Sequence, residues 1–288
     1  MATQVLVLER SGPPVPDLAI SAAASPRERR RIELGGVLID QIDVEGAVDR
    51  LREFLADGGT HQIVTVNLDF LSIAQRDPAF RRTLNAADLA VADGMPLVWA
   101  SRLRGEPLPE RVAGVDLVHQ SCQLAARTGH SVFLLGAAPG VADSAARKLR
   151  EEYPGLRVSG TYSPSIGAMT RAENAAIIRM IRDARPGFLF VALGAPRQDL
   201  WIHENRAELG VPVSIGVGCV FDLLAGSVER APHWMQKSGL EWAHRLRSEP
   251  GRLWRRYLVN DTRMLGQLIF ESASATRGEE TLAAATLT

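Results

Sequence analysis

The stretch Ser131–Leu149, SVFLLGAAPGVADSAARKL, decides the fold. It opens on five residues dominated by apolar, β-prone side chains and passes through the glycine- and proline-bearing turn Gly136–Gly140. It then continues with apolar residues at helical spacing, which predicts strand, tight turn, helix. The same succession recurs at Phe188–Ile202, FLFVALGAPRQDLWI, and at Val213–Leu224, VSIGVGCVFDLL. Strands that alternate with helices form a parallel sheet, so the chain is read as α/β, a Rossmann-like and mostly parallel sheet. Ligands of such sheets sit beyond the carboxyl ends of the strands, where glycines let backbone N–H groups approach phosphate oxygens. Gly136, Gly194 with Pro196, and Gly218 all fall at that edge. Each alone is also an ordinary βα turn, but three together point to a nucleotide or diphosphate site.

Working outward, the pattern predicts further strands at Ile32–Ile39, Gln62–Val66, Leu89–Ala92 and Arg157–Thr161. Helices are expected at Val44–Ala56, Pro78–Ala86, Pro96–Leu103, Gly114–Arg127, Val141–Glu152, Arg171–Ala184 and Arg197–Glu208. Thr170 and Glu173 have the spacing of a capping box, and Gly129 stands where a left-handed helix cap is expected. The organisation read from this is a disordered leader over 1–30, rich in Pro, Ser and Ala and ending in a run of arginines. A catalytic core over 31–228 follows, with an acceptor half to about 128 and a nucleotide half from about 129. A helical appendage occupies 229–272 and a flexible tail 273–288.

Composition narrows the classes. At 288 residues with 46% hydrophobic and 23% charged side chains, the chain is an ordinary folded protein with a formal net charge of zero. That balance argues against broad nucleic-acid binding. No apolar run is long enough to span a bilayer, and the start of the chain lacks the features of a secretory signal. Two cysteines, neither in a CxxC pair, make a disulfide framework or structural zinc site improbable and fit a reducing compartment. No G-x-G-x-x-G opens a strand–turn–helix unit, which counts against a dehydrogenase, and no Walker pattern occurs.

Polar residues end the strands of the first half. Thr65 and Asn67 close IVTVN, and Asp93 closes LAVAD before Gly94. A partly buried carboxylate there has a raised pKa and suits proton abstraction from a sugar hydroxyl; the other reading is an N-cap for the helix after Gly94. Asn67 and Thr65 are likewise either site or cap residues. Arg111 is read as a bidentate phosphate ligand or a surface ion pair. Gln198 is either a hydrogen-bond donor to a substrate oxygen or a solvated first-turn residue. Asp222 is either an acceptor for ribose or base or a stabiliser of a helix start. No D-x-D is present, so a sugar transferase built on this chain is expected to offset a leaving diphosphate with arginines and helix N-termini.

The stretch RAPHWMQKSGLEWAHRLRSEPGRLWRRYL (230–258) interleaves Trp234, Trp242, Trp254 and Tyr257 with basic residues. From Glu229 to Arg263 there are eight basic residues against four acids, a net +4. Such a surface suits contact with both hydrocarbon and phosphate. The plainer reading is a lid whose tryptophans are core and whose arginines are solvated.

VTVN (64–67), VADGMPLVWASRL (91–103), PERVAGVDL (109–117), GAPRQDLW (194–201), GVGCVFD (216–222) and the 230–258 block together resemble the WecG/TagA/CpsF family of bacterial glycosyltransferases. The resemblance covers roughly 32–265. It implies a Rossmann-like fold with a helical C-terminal appendage. The implied reaction is inverting, metal-independent transfer of a sugar from a UDP-sugar to a polyprenyl-diphosphate-linked sugar, in bacterial cell-surface polysaccharide biosynthesis. N-acetylmannosamine, its uronic acid and glucose are all open as the sugar. The resemblance carries the general base onto Asp93, a Thr-x-Asn pair onto Thr65 and Asn67, and the acceptor-pocket arginine onto Arg111. It carries a pocket glutamine onto Gln198, a UDP-contacting aspartate onto Asp222, and diphosphate-binding arginines onto Arg245, Arg252, Arg255 and Arg256. The chain departs from the pattern at Leu68-Asp69-Phe70, Met95-Pro96 and Asp199, where Glu is common. Expected partners are the UDP-sugar, the lipid-linked acceptor, a membrane surface and a further copy of the chain, with no nucleic acid and no cofactor. The expected location is cytoplasmic, bound peripherally to the inner face of the membrane. A second class remains, a nucleotide-sugar-binding regulator or partner subunit without turnover.

Overall fold

The computed structural model describes residues 29–164, 169–232, 234–235, 240–248 and 250–271. The expected leader, apart from Arg29 and Arg30, and the expected tail lie outside the described residues. A six-stranded sheet forms the centre. Its strands are β3 (His61–Val66), β4 (Leu89–Ala92), β5 (Ser131–Gly136), β6 (Arg157–Tyr162), β7 (Phe188–Ala192) and β8 (Val213–Gly216). They are ordered β4-β3-β8-β7-β5-β6 and every pairing is parallel. Because β8 lies between β3 and β7, the two expected halves share one sheet.

Burial on both faces explains the unbroken apolar strands. In β7, Phe188 and Phe190 point to one face and Leu189 and Val191 to the other. The first face is covered by α1 (Val44–Ala56), α5 (Gly114–Thr128), α6 (Val141–Glu152) and the short α9 (Val220–Ala225). The second is covered by α2 (Leu68–Ala74), α3 (Pro78–Asn85), α4 (Met95–Leu103), α7 (Arg171–Ala184) and α8 (Arg197–Leu209). Local signals agree with these ends. The Thr170 hydroxyl accepts from Glu173 N at 3.1 Å, and Gly129 ends α5 in the left-handed region at φ 74°.

Two elements differ from the sequence expectation. The single strand expected over Ile32–Ile39 is a hairpin, β1 (Arg31–Leu34) and β2 (Val37–Asp40), paired antiparallel. Gly35 and Gly36, at φ 56° and 81°, make the turn that a continuous apolar pattern hid. Helix α2 was not anticipated; Asn67 caps it, accepting from Phe70 N at 3.1 Å. The arginines that end the leader serve the fold, since Arg29 and Arg31 pair with buried Asp40 at 2.6 and 3.2 Å.

The appendage contains α10 (Glu241–Ser248) and α11 (Pro250–Trp254). A π-helical stretch, Arg255–Asp261, then leads into helical residues 262–271. The chain returns to the core there, with Met264 and Leu268 buried against the hairpin and α2. The appendage is thus stitched to the first part of the sheet at its far end.

Candidate active site

The carboxyl ends of β3, β4 and β8 adjoin, and the candidate site is built on them. At the end of β4, Asp93 N donates to Val66 O at 2.7 Å, which ties the residue to β3. The chain then departs through Gly94, whose φ of 148° is open to glycine and strained for other residues. It returns to the same place, because Val112 N donates to Ala92 O at 2.9 Å. That return sets Arg111 and the start of α5 beside Asp93. The Asp93 carboxyl does not cap α4, whose N-cap, Gly94, has no side-chain bond. Instead Oδ2 accepts from Gly114 N, the first residue of α5, at 3.3 Å. A carboxylate there faces the positive end of a 15-residue helix.

Thr65 is part of the same cluster. A side chain on Gly114 would meet Thr65 Oγ1 at 3.4 Å and Asp93 Oδ2 at 3.5 Å, so all three groups touch one small volume. The Thr65 hydroxyl donates to Gly216 O at 3.5 Å, which links β3 to the glycine turn after β8. Asp93 remains partly exposed. Desolvation by the surrounding protein raises its pKa to about 6, against the opposing pull of Arg111, the Gly114 N–H and Arg245.

The structure separates the other candidates by what their polar atoms already do. Asn67 spends its carbonyl oxygen on the α2 cap. Gln198 is not a solvated first-turn residue: it is buried, and its Oε1 accepts from Gly218 N at 3.0 Å, holding the glycine turn after β8. Asp222 lies in the first turn of α9 at partial exposure, beside that turn. Gly194 and Gly218 have φ of 78° and 56° with open space where a side chain would stand, and the Ala195–Pro196 bond is cis. Gly136 is different. Its position is four strands from Asp93, about 19 Å at the usual strand spacing. Its lack of a side chain has a packing cause, because a Cβ would stand 2.4 Å from Ala192 O.

The appendage meets the crevice from outside. Arg111, 15% exposed at its side chain, donates to Glu241 Oε2 at 2.8 Å. Its other terminal nitrogen lies 3.5 Å from Asp116, which also receives Arg230 at 2.6 Å. Arg245 donates to the sulfur of Cys219, in the turn between β8 and α9. Arg256 is turned to Asp69 at 3.4 Å, and Arg255 lies over the Trp254 ring at 5.8 Å. The side chain of Arg252 lies outside the described residues. The plainer reading of this stretch fails for the tryptophans and holds for some of the arginines: Trp234, Trp242 and Trp254 are 63%, 40% and 47% exposed, Arg245 and Arg256 contact the core, and Arg247 and Arg255 are exposed.

Gly114, Asp116 and Glu241 contact these candidate residues and were not singled out from sequence. Gly114 carried a usable signal, a residue without a side chain at a helix start within a block of site residues. Glu241 was an acid in a basic stretch, and only the fold shows what it faces. Among the described residues, no three His, Cys, Asp or Glu side chains group as a metal-ion site.

The architecture is a Rossmann-like α/β fold whose candidate site residues gather at the carboxyl edge of the sheet. The chain belongs to the WecG/TagA/CpsF family of glycosyl transferases, whose family model matches residues 32–278. It is 34% identical over 213 residues to the N-acetylglucosaminyldiphosphoundecaprenol N-acetyl-beta-D-mannosaminyltransferase of Bacillus spizizenii, covering 74% of this chain and 80% of the relative. The enzyme of the same name from Bacillus subtilis is 35% identical over 73% of this chain and 80% of its own. That from Staphylococcus aureus is 30% identical over 75% and 84%. The protein is a glycosyltransferase of the hexosyl class.

Proposed function

We propose that the protein transfers a sugar of the N-acetylmannosamine type from a UDP-sugar to a polyprenyl-diphosphate-linked sugar, with inversion and without a metal ion. The names of the relatives support the transferred unit and the lipid-linked acceptor, and favour N-acetylmannosamine over its uronic acid or glucose. The observation that carries the mechanism is the partly exposed Asp93 carboxyl, bonded to the Gly114 N–H and acted on by the charge of Arg111. With a pKa near 6 it is mostly ionised at neutral pH, and still basic enough to accept a proton. The acceptor hydroxyl oxygen bonds to the anomeric carbon while its proton passes to Asp93. The bond from that carbon to the diphosphate oxygen breaks, and UDP leaves with the electron pair. One displacement inverts the centre.

Charge on the leaving diphosphate is offset by Arg111, Arg245 and the N-terminus of α5. Thr65 orients the reacting sugars, while Asn67 and Gln198 act through the elements they cap and hold. Gly194, Pro196, Gly218 and Asp222 contact the nucleotide. Gly136 has the weakest claim to such a contact, being remote from the base. The proposal also puts the protein peripherally on the inner face of the cytoplasmic membrane. Exposed Trp254, Leu258 and Val259 of the appendage support this, with basic residues interleaved. No helix among the described residues is long and apolar enough to cross a membrane.

The test is release of UDP from a panel of UDP-sugars supplied with polyprenyl-diphosphate N-acetylglucosamine. UDP-N-acetylmannosamine should be consumed and the rate should survive EDTA. A requirement for a divalent ion would remove the metal-free step, and no turnover with any donor would remove the donor class.

A further inference from the structure

One of the appendage residues that meet the core near Asp93 is an acid. Glu241 lies in the first turn of α10 and holds Nη1 of Arg111 at 2.8 Å, while Asp116 of α5 approaches the other terminal nitrogen at 3.5 Å. Asp116 in turn receives Arg230 of the appendage at 2.6 Å. Acid and base therefore alternate as Glu241, Arg111, Asp116, Arg230, two groups from the core and two from the appendage. An arginine is useful to a phosphate only when its planar fork is held in place, and a long side chain pays for that order in rotamer freedom. Here the fixing partner comes from a separate element some 130 residues away in the chain.

We propose that Glu241 is a positioning residue for the transfer. By gripping Arg111 it fixes the guanidinium beside the Asp93 carboxyl. This rests on the reading of Asp93 as the base. The groups that bear on Asp93 are Arg111, the Gly114 N–H and Arg245, which favour its ionised form, and Glu241, which favours its protonated form. Glu241 thus acts twice, through the geometry of Arg111 and through its own charge.

The experiment uses the full chain with UDP-sugar and lipid-linked acceptor. Glu241→Gln keeps the shape and removes the charge, and Glu241→Ala removes both. Arg230→Gln breaks the neighbouring appendage contact while leaving Glu241 on Arg111. A hydrogen bond between charged groups supports an expected loss of roughly 10- to 100-fold in kcat/KM for both Glu241 variants, with KM for the UDP-sugar raised. The acid limb of their pH profiles should shift, whereas Arg230→Gln should leave it in place. Unchanged kcat/KM in both Glu241 variants overturns the proposal. So does a lowered KM, which would make Glu241 a competitor for the arginine, or an equal shift of the acid limb in Arg230→Gln, which would make the effect one of docking alone. If Asp93→Asn retains the acid limb, the base assignment fails separately, and Glu241 then stands or falls by KM.

Discussion

Replacing Asp93 by Asn should lower activity and raise stability at once, and the two effects have one cause. The carboxyl titrates near 6 in the folded protein against an ordinary 3.8, chiefly because burial disfavours its charge. At 1.36 kcal/mol per pH unit, keeping it ionised costs the fold at most about 3 kcal/mol. A folded pKa that is raised means the native state binds the proton more tightly than the unfolded chain. The cost is therefore absent below about pH 4, develops as pH rises to about 6, and is fully present at neutral pH. Asn keeps an oxygen for the Gly114 N–H and carries no charge. Thermal unfolding of Asp93→Asn at pH 7 should thus move up by about 5–10 °C, and at pH 4 it should match the parent protein. Turnover should fall by about 10²–10⁴, the worth of a positioned general base. In the parent protein, kcat/KM should fall about tenfold for each pH unit below 6, once the base is mostly protonated. Retained turnover would remove Asp93 from the base role. An unchanged or lowered melting temperature at pH 7 would refute the argument that the carboxyl is held charged against its surroundings.

Gly136→Ala should destabilise the fold by about 2–4 kcal/mol, read by denaturant unfolding, because its Cβ would strike the Ala192 carbonyl and its φ of 114° is strained; loss of UDP affinity at full stability would show instead that this glycine faces the ligand. Asp261 is buried against Arg256 and Asp69, and burial lifts its pKa to about 7. Asp261→Asn should therefore raise the melting temperature by a few degrees at pH 8 and leave it unchanged at pH 4; an equal gain at both would exclude a titrating cause. Trp254→Ser or Leu258→Ser should weaken binding to anionic vesicles by about tenfold each, measured by sedimentation, while leaving the salt dependence in place. Undiminished binding would move the membrane contact elsewhere.

Strand and helix identity came from local pattern wherever burial was uniform. The runs at Leu89–Ala92, Phe188–Ala192 and Val213–Gly216 are strands at those same bounds, because a strand covered on both faces has apolar residues throughout. Val44–Ala56 and Arg171–Ala184 are likewise helices at the expected bounds. The hairpin at Gly35-Gly36 escaped because apolar residues flank the turn directly, Leu34 before it and Val37 after it, so the two short strands read as one. Helix α2 escaped because its seven residues make only about two turns, too few to establish a helical period.

The order of residues thus determined a parallel α/β sheet, glycine turns at one edge, and acids and amides closing the strands, since these depend on neighbours close in the chain. Strand order was decided only by tertiary packing. It put β8 beside β3, so that Thr65 meets Gly216, and left Gly136 four strands from the acid. The partners of the polar groups were decided in the same way: Gly114 for Asp93, Gly218 for Gln198, and Glu241 for Arg111. Each of these bonds joins residues 20 to 130 positions apart. No local preference encodes such a pairing; it follows from which faces the hydrophobic core leaves adjacent.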